Sequence, residues 1–430
     1  MPTPYQFATL CLHAGHTPDA ATRSRAVPVY RTTSYVFDDS SHAADLFALK
    51  QPGNIYTRMM NPTQAVLENR MAALEGGVDA LALASGTAAI YYSIINICSA
   101  GDEVVSANNL YGGTVTMFNN ILPQFDIRVN FVDPRDPQNF EAAITEKTRA
   151  LFMETIGNPA LEVTDIRAVA EIGKKYQLPV IVDGTFTTPY LLRPLDYGAD
   201  IVVHSMTKWI GGHGTGIGGI VVDGGQFDWT DPKFDLYNTP DPSNFNLRFA
   251  HDLGADNHKA FIIRMRQVPL RNLGACISPD NAWLFLQGLE TLPLRMERHC
   301  ENAMKVAHFL TSHSGVEWVR YPGLPEDPAY PVASRYLTKG FGAMVVFGIK
   351  GGRDAGRRFI DSLKLFSHLA NVGDAKSLAL HPASTTHSQL TEEQQLAGGL
   401  SPDMIRLSVG IESIDDILAD LEQAFAGVSG

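Results

Sequence analysis

The chain has 430 residues, 45% of them hydrophobic and 19% charged, a balance typical of folded globular proteins and unlike that of disordered or fibrous chains. Its net charge of −12 disfavours binding to nucleic acids and to anionic membranes. A chain of this length is expected to form about two or three domains.

The four cysteines are scattered and form no C-x-x-C pair; they are Cys11, Cys98, Cys276 and Cys300. This spacing predicts neither a disulfide framework nor a metal site. The first residues also lack the basic and then apolar pattern of a signal peptide. We therefore expect the protein to reside in a reducing cytoplasm.

The first 60 residues are mixed in character and rich in turn-forming proline, with Pro2, Pro4, Pro18, Pro28 and Pro52. This composition predicts an extended N-terminal arm (residues 1–60). Such an arm buries little of its own surface, so we expect it to lie on another subunit or domain.

A helix is predicted directly after the arm. From Asn61 onward, Leu67, Met71 and Leu74 fall on one helical face, and Gly76 ends the pattern. Short β-branched runs then alternate with helical stretches such as Ile166 to Tyr176. The predicted strands are Ala80–Ala84, Glu103–Ser106, Arg128–Val132, Arg149–Glu154, Pro179–Asp183, Ile201–His204 and Gly219–Asp223. This alternation predicts an α/β fold with a mostly parallel, doubly wound sheet.

The stretch from Leu81 to Cys98 is apolar enough to be tested as a membrane span. It carries Ser85, Gly86 and Thr87 near its middle, which favours a strand, a tight turn and a buried helix. We expect no membrane association.

Beyond the predicted sheet, the alternation of strands and helices is replaced by two other patterns. Residues 224–275 are polar, aromatic and proline-containing, which predicts a long irregular insertion that is partly ordered at a surface or interface. From Pro279 a long helical pattern begins, with a kink expected at Pro293. A strand in FGAMVVFGI and a closing helix capped by Ser413 complete the pattern. The predicted domains are the arm, residues 61–275 with the insertion, and a smaller α+β domain over residues 276–430.

The stretch IVVHSMTKWIGGHGTGIGG places Lys208 after an apolar strand, between the hydroxyls of Ser205 and Thr207 and a glycine-rich loop. A desolvated lysine becomes nucleophilic toward carbonyl groups, and the hydroxyls suit a phosphate. A surface lysine beside an ordinary loop explains the same residues. The G-x-G-x-x-G match in this loop is followed by a strand and not by a helix, so a dinucleotide site is rejected.

Further polar residues stand at the ends of predicted elements. Asp183 ends a strand and could pair with a protonated pyridine nitrogen. Tyr111 could stack on a flat ring, and Asn158 could donate to a phenolate oxygen. Arg406 lies in an apolar strand, where a guanidinium needs an anion. Each residue alone also has a structural explanation, as a turn residue, a helix cap or a member of a buried salt bridge.

Together these residues supply an amine, a pyridinium partner, a stacking ring, a phosphate site and a carboxylate partner. The turn at Ser85, Gly86 and Thr87 adds the N-terminus of a helix, which binds anions. This combination indicates pyridoxal phosphate (PLP) chemistry on an amino acid.

From about Thr9 to Ala426, the chain resembles the Cys/Met-metabolism family of PLP-dependent enzymes. The resemblance is carried by RTTSYVFDD, GNIYTRMMNPTQAVLENRMAALEGG, ALASGTAAI, LYGGT, HSMTKWIGGHGTGIGG and HPASTTH. It implies fold type I, with a mostly parallel seven-stranded sheet covered by helices on both faces and a smaller α+β C-terminal domain.

The resemblance also implies roles for individual residues. Lys208 would bind PLP covalently and act as the base, Asp183 would pair with its pyridine nitrogen, and Tyr111 would stack on its ring. Tyr56 and Arg58 would reach the phosphate in a neighbouring subunit, with Tyr56 also near the substrate. The remaining cofactor contacts implied are Gly86, Thr87, Thr185, Ser205, Thr207 and Asn158. The substrate carboxylate would be bound by Asn158, Ser377 and Arg406.

The insertion and the local motifs resemble the sulfhydrylase type within the family. This implies a γ-replacement in which acetate leaves O-acetyl-L-homoserine and sulfide or methanethiol adds. Cystathionine γ-synthase, O-succinylhomoserine sulfhydrylase and methionine γ-lyase activities share these residues and stay open as alternatives. The implied assembly is a homotetramer with shared active sites.

Overall fold

The computed structural model describes residues 5–48, 50–385 and 400–428. Its larger sheet has seven strands, and their bounds lie within one residue of the predicted ones at each end. They are Asp79–Leu83 (β1), Glu103–Ala107 (β2), Arg128–Val132 (β3), Thr148–Glu154 (β4), Val180–Asp183 (β5), Ile201–Ser205 (β6) and Gly219–Asp223 (β7).

The strand order is β1-β7-β6-β5-β4-β2-β3, and every neighbouring pair is parallel except the two that involve β7. The predicted mostly parallel sheet is confirmed. Strands β5 and β7 are buried at every residue, as is expected of strands covered by helices on both faces. The carboxyl ends of β4, β5 and β6 therefore meet at one edge.

Helices flank this sheet and join its strands. Those up to the insertion are Phe7–His13 (α1), Ser40–Phe47 (α2), Pro62–Glu75 (α3), Gly86–Ile95 (α4), Gly112–Thr116 (α5), Gln138–Ala142 (α6), Ile166–Tyr176 (α7) and Thr188–Leu191 (α8). Helix α3 is the one predicted after the arm. The Asn61 side chain caps its first turn, and Gly76 ends it at a φ of 80°.

The apolar stretch from Leu81 to Cys98 forms the end of β1, a turn and helix α4, as predicted. Ser85 starts the helix by accepting a hydrogen bond from the Ala88 N–H at 3.0 Å. Across the three described ranges, no helix combines the length and the apolar character that a membrane crossing requires.

The prediction of an arm extended throughout is wrong at its start. Helix α1 packs against α3 and against a later helix of the same chain, and its Leu10 and Cys11 are buried there. Beyond α1 the arm is largely exposed, with Val36 96% accessible to solvent. Helix α2 also lies in the arm, so the predicted extended course is left only to the residues outside α1 and α2. That the arm lies on another subunit stays a prediction.

Residues 224–275 are more ordered than the predicted irregular insertion. They contain the helices Asp235–Asn238 (α9), Ala260–Met265 (α10) and Arg271–Leu273 (α11). The Trp229 ring stacks on Tyr237 at 4.4 Å and on Phe261 at 5.4 Å between centroids, and all three are buried. The aromatic residues that suggested a surface instead form an internal cluster.

Replacing Trp229 with alanine is expected to lower the free energy of unfolding by about 3–5 kcal/mol, because a buried cavity replaces the ring. Denaturant unfolding followed by circular dichroism measures this change. Phe245→Ala, at a residue of the same insertion that is 74% exposed, is the control and should change stability by less than about 1 kcal/mol. A Trp229→Ala variant as stable as this control would contradict the cluster's role.

The C-terminal part forms a second, smaller α+β unit. It is preceded by the helix Pro279–Glu290 (α12), which packs against α1 and α3. The helices of the unit are Leu292–Ser312 (α13), Tyr330–Tyr336 (α14), Gly352–Ser362 (α15) and a closing helix, Ile414–Val428. Its five-stranded sheet has the order β10-β11-β12-β9-β8. The strands are Val316–Arg320 (β8), Met344–Ile349 (β9), Ser367–His368 (β10), Leu378–Leu380 (β11) and Met404–Ser408 (β12).

Pro293 does not kink one long helix, as was predicted. It lies in the first turn of α13, after α12 has ended at Glu290. Proline is tolerated in a first turn because the N–H that it lacks would have no partner there. The closing helix begins directly after Ser413, as predicted. The end of the HPASTTH motif, residues 386–387, lies outside the described ranges.

Candidate active site

Lys208 lies in the loop that follows β6, at the carboxyl edge of the large sheet. Its N–H donates to the Ser205 carbonyl oxygen at 3.2 Å, and its own carbonyl oxygen accepts from the Gly212 N–H at 2.7 Å. Its Nζ donates to Asn371 Oδ1 at 2.5 Å. Burial, and secondly the charge of Arg406, lower the pKa of Lys208 to about 8. A considerable fraction of this amine is therefore neutral and nucleophilic near neutral pH.

Asp183 ends β5 on the strand next to β6 and is 8% exposed. Its Oδ1 accepts from the Thr185 N–H at 2.8 Å, and Thr185 Oγ1 accepts from the Ser205 N–H at 2.8 Å. Within the described ranges no ion pair reaches Asp183, and the neighbouring His204 is bound to Glu75 Oε1 at 2.5 Å. Thr185 thus links the candidate pyridine partner to β6, the strand that precedes Lys208.

The N-terminus of α4 adjoins the end of β6. A Cβ atom added at Gly86 would lie 2.5 Å from Ser205 Cβ, so glycine is required for this close approach. The hydroxyl of Thr207 accepts from the Gly218 N–H at 3.1 Å. The helix N–H groups at Gly86 and Thr87 and the nearby hydroxyls form an arrangement suited to a phosphate.

Tyr111 lies at the start of α5, and its ring is 53% exposed. Its N–H donates to Glu154 Oε1 at 2.7 Å, which ties this loop to the end of β4. A Cβ atom at Gly113 would lie 2.5 Å from Tyr111 Cε1, so this glycine makes room for the ring. The side chain has the open face that stacking on a planar ligand requires.

Arg406, on strand β12 of the smaller unit, contacts a residue at the edge of the large sheet. Its Nη1 donates to Asn158 Oδ1 at 3.2 Å, and Asn158 follows β4. Burial lowers the pKa of Arg406 to about 10. No carboxylate in the described part of the chain pairs with this guanidinium. A partly buried guanidinium that has no carboxylate partner among the described residues is suited to the carboxylate of a ligand.

Ser377 and Asn371 differ in what they offer to a ligand. Ser377 is fully buried; its hydroxyl donates to Glu412 Oε2 at 2.9 Å and accepts from the Gly410 N–H at 2.8 Å. A substrate contact by Ser377 stays a prediction, because the Ser377 hydroxyl already forms these two hydrogen bonds within the chain. Asn371, which the sequence analysis missed, touches Lys208 instead. An asparagine in a short loop carries no pattern that would have identified it.

Tyr56 and Arg58 lie together on the arm, with Arg58 Cζ 5.3 Å from the Tyr56 ring centroid. Both side chains are exposed, and Tyr56 is 41% accessible. Among the contacts found in the described residues, none connects either side chain with Lys208. Their contribution to a neighbouring subunit stays a prediction, with which this exposure agrees.

The residues that the structure brings together fit PLP. Lys208 offers a partly buried amine to an aldehyde, and the carboxyl of Asp183, which has no ion-pair partner among the described residues, suits a pyridinium. The amides at Gly86 and Thr87 suit the phosphate, and the Tyr111 ring suits the flat face of the cofactor. Each group of the ligand thus meets a protein group of matching charge or shape.

Comparisons with known proteins identify the family of this chain. A family model described as "Cys/Met metabolism PLP-dependent enzyme" matches residues 8–426. An O-acetyl-L-homoserine sulfhydrylase from Leptospira meyeri is 54% identical, over 100% of this chain and 98% of its own. An O-acetyl-L-homoserine sulfhydrylase from Thermus thermophilus is 50% identical, over 98% and 100%.

A solved structure is similar as well. The O-acetylhomoserine (thiol)-lyase of Campylobacter jejuni, which carries a pyridoxyl-lysine phosphate, has a TM-score of 0.94 and 41% identity. The match covers 98% of this chain and 100% of that one. The family predicted from the motifs is therefore confirmed, and the chain belongs to the Cys/Met-metabolism family of PLP-dependent enzymes.

Proposed function

We propose that the protein catalyses a γ-replacement on O-acetyl-L-homoserine. Sulfide bonds to Cγ, acetate leaves from it, and homocysteine is the product; methanethiol in place of sulfide gives methionine. The observation that carries the proposal is that the Arg406 guanidinium lies near enough to the Lys208 amine for its charge to lower the pKa of the lysine. Among the described residues, this guanidinium has no carboxylate partner of its own. The names of the relatives, which are similar over nearly their whole length, support this substrate.

Each residue of the site has a separate role in this reaction. PLP, when bound, supplies an electron sink for the carbanions that form at Cα and Cβ. Lys208 Nζ removes the proton from the substrate Cα and moves protons at Cβ, which a pKa near neutrality favours. Arg406 and Asn158 bind the substrate carboxylate and so orient the Cα–H bond toward Lys208. Asp183 keeps the pyridine nitrogen protonated.

Arg406→Gln is expected to raise KM for the amino-acid substrate about 10- to 100-fold, because a hydrogen bond to a charged group contributes about 1.5–3 kcal/mol. Steady-state kinetics at saturating sulfide measure this change, and kcat should fall less than KM rises. Arg335→Gln, at an exposed ion pair of the smaller unit, is the control and should leave KM unchanged. An unchanged KM in Arg406→Gln would remove this residue from carboxylate binding.

The site residues serve all activities of the family alike, so the leaving group and the nucleophile need a direct test. O-acetylhomoserine, O-succinylhomoserine, cystathionine and methionine are offered singly, with and without sulfide or methanethiol. We expect rapid homocysteine formation from O-acetylhomoserine with sulfide. A kcat/KM that is higher for O-succinylhomoserine, or methionine cleavage as the main reaction, would contradict the proposal.

We also propose that the protein acts in the cytoplasm as a homotetramer with shared active sites. Its four cysteines are all free, which suits a reducing compartment. The exposed Tyr56 and Arg58 are available to a neighbouring subunit. Inactive Lys208→Ala and Arg58→Ala variants, once mixed and reassembled, should regain activity, because some mixed sites then contain both native residues. Sedimentation should show a tetramer. Mixtures that stay inactive would contradict shared sites.

A further inference from the structure

Two carboxyl groups lie side by side at the carboxyl edge of the large sheet. Glu154 and Asp183 are the last residues of the parallel neighbours β4 and β5, and the strand register pairs them directly. Register partners on adjacent strands project toward the same side of a sheet. Their exposed fractions are only 5% and 8%. In the described ranges, neither carboxyl forms an ion pair with a lysine, arginine or histidine.

Glu154 also contacts the loop that carries the candidate stacking ring. Its Oε1 accepts the Tyr111 N–H at 2.7 Å, where α5 begins. The exposed Tyr111 ring is therefore anchored through its own backbone to a buried carboxyl group at the end of β4. A change at Glu154 acts on the position of this ring without removing the ring itself.

The surroundings of the two carboxyl groups decide which of them carries the negative charge. Burial, and secondly the charge of Asp183, raise the pKa of Glu154 well above its usual range. Burial also raises the pKa of Asp183, but hydrogen bonds from Thr185 and the charge of His204 oppose this rise. The adjacent end of β2 contributes only neutral residues. In a desolvated site, two neighbouring carboxyl groups hold one proton between them. Because the Thr185 hydrogen bonds and the His204 charge favour the ionised form of Asp183, this proton lies on Glu154.

We propose that Glu154 is a positioning residue that acts as a neutral acid. Its Oε1 fixes the Tyr111 backbone and thereby the ring that stacks on PLP, while its protonation leaves Asp183 as the single negative charge available to the pyridine nitrogen. This inference rests on the roles proposed above for Asp183 and Tyr111. It adds a residue that does not touch the cofactor and acts on it only through Asp183 and Tyr111.

Glu154→Gln separates this role from a general structural one, because glutamine is permanently neutral and keeps an acceptor oxygen. We expect its affinity for PLP and its kcat at neutral pH to stay within about threefold of the native values. At alkaline pH, where native Glu154 ionises, the variant should retain PLP affinity that the native protein loses. Glu154→Ala, which frees the Tyr111 loop, should bind PLP about tenfold more weakly.

The infrared spectrum is a second measurement, and it requires no turnover. It also does not depend on whether Glu154→Ala folds. The spectrum of the native protein minus that of Glu154→Gln should show the carbonyl stretch of a buried protonated carboxyl group. Other buried carboxyl groups with a raised pKa, such as Asp223, contribute equally to both spectra and cancel. The control is Glu162→Gln, at a carboxylate bound to Asn109, and its difference spectrum should lack this band. A native-minus-Glu154→Gln spectrum without the band, or a loss of PLP affinity in Glu154→Gln as large as in Glu154→Ala, would overturn the inference. Failure of the substrate panel alone would leave these two readouts intact.

Discussion

Lys208→Ala is expected to lower kcat by at least about 10³-fold and to abolish the visible absorption band of the bound cofactor. The variant loses the amine that binds PLP and, with it, the base that serves the substrate Cα; general base catalysis alone contributes about 10²–10⁴-fold. Steady-state kinetics and absorbance spectra of the purified variant measure both effects.

The control for this variant is Lys305→Ala, at an exposed lysine that pairs with Glu301 on α13. It should keep full activity and the native absorbance. Circular dichroism should show that both variants are folded. A Lys208→Ala protein that turns over substrate within tenfold of the native rate would exclude Lys208 as anchor and base.

Asp183→Asn is expected to lower kcat about 10²-fold or more while the protein stays folded. The amide keeps the shape of the carboxyl group but cannot balance a pyridinium, and loss of one partner of a buried charge pair costs about 3–5 kcal/mol. Steady-state kinetics measure the rate, and the pH dependence of the cofactor absorbance reports on protonation of the ring.

Asp200→Asn provides a matched control, because Asp200, directly before β6, is also a desolvated aspartate. Burial raises its pKa to about 7, and its Oδ2 accepts the Val180 N–H at 2.8 Å, where β5 begins. This is the amino edge of the strand, away from the site. Asp200→Asn should therefore change stability more than kcat. Equal rate losses in the two variants would contradict the special role of Asp183.

The sheet could be predicted from the sequence because its strands are nearly continuous apolar runs. Val180–Asp183 and Gly219–Asp223 are buried at every residue, and this pattern is visible without the structure. Helix α1 was missed because prolines dominate the composition of the arm, whereas Phe7, Leu10 and Cys11 already have the i, i+3, i+4 spacing of one helical face. In the insertion, Trp229 and Tyr237 stand among polar residues, and only tertiary stacking shows that they are internal.

The site was predictable where a residue and its role share one motif. Lys208, Ser205 and Thr207 lie within four positions of the chain, and Asp183 ends a recognisable strand. Asn371 and Glu154 could not be found in this way. Asn371 meets Lys208 across 163 positions, and Glu154 meets the Tyr111 backbone across 43. Such contacts depend on how strands and domains pack, which local sequence patterns do not encode.

The attachment of the cofactor to Lys208 is the claim on which the other roles depend. Borohydride reduction of the native, PLP-loaded protein makes the link to the lysine permanent, and proteolysis followed by mass spectrometry locates it. We expect the pyridoxyl mass on the peptide that contains Lys208 and on no other lysine peptide. Modification of a different lysine, or of none, would contradict the account.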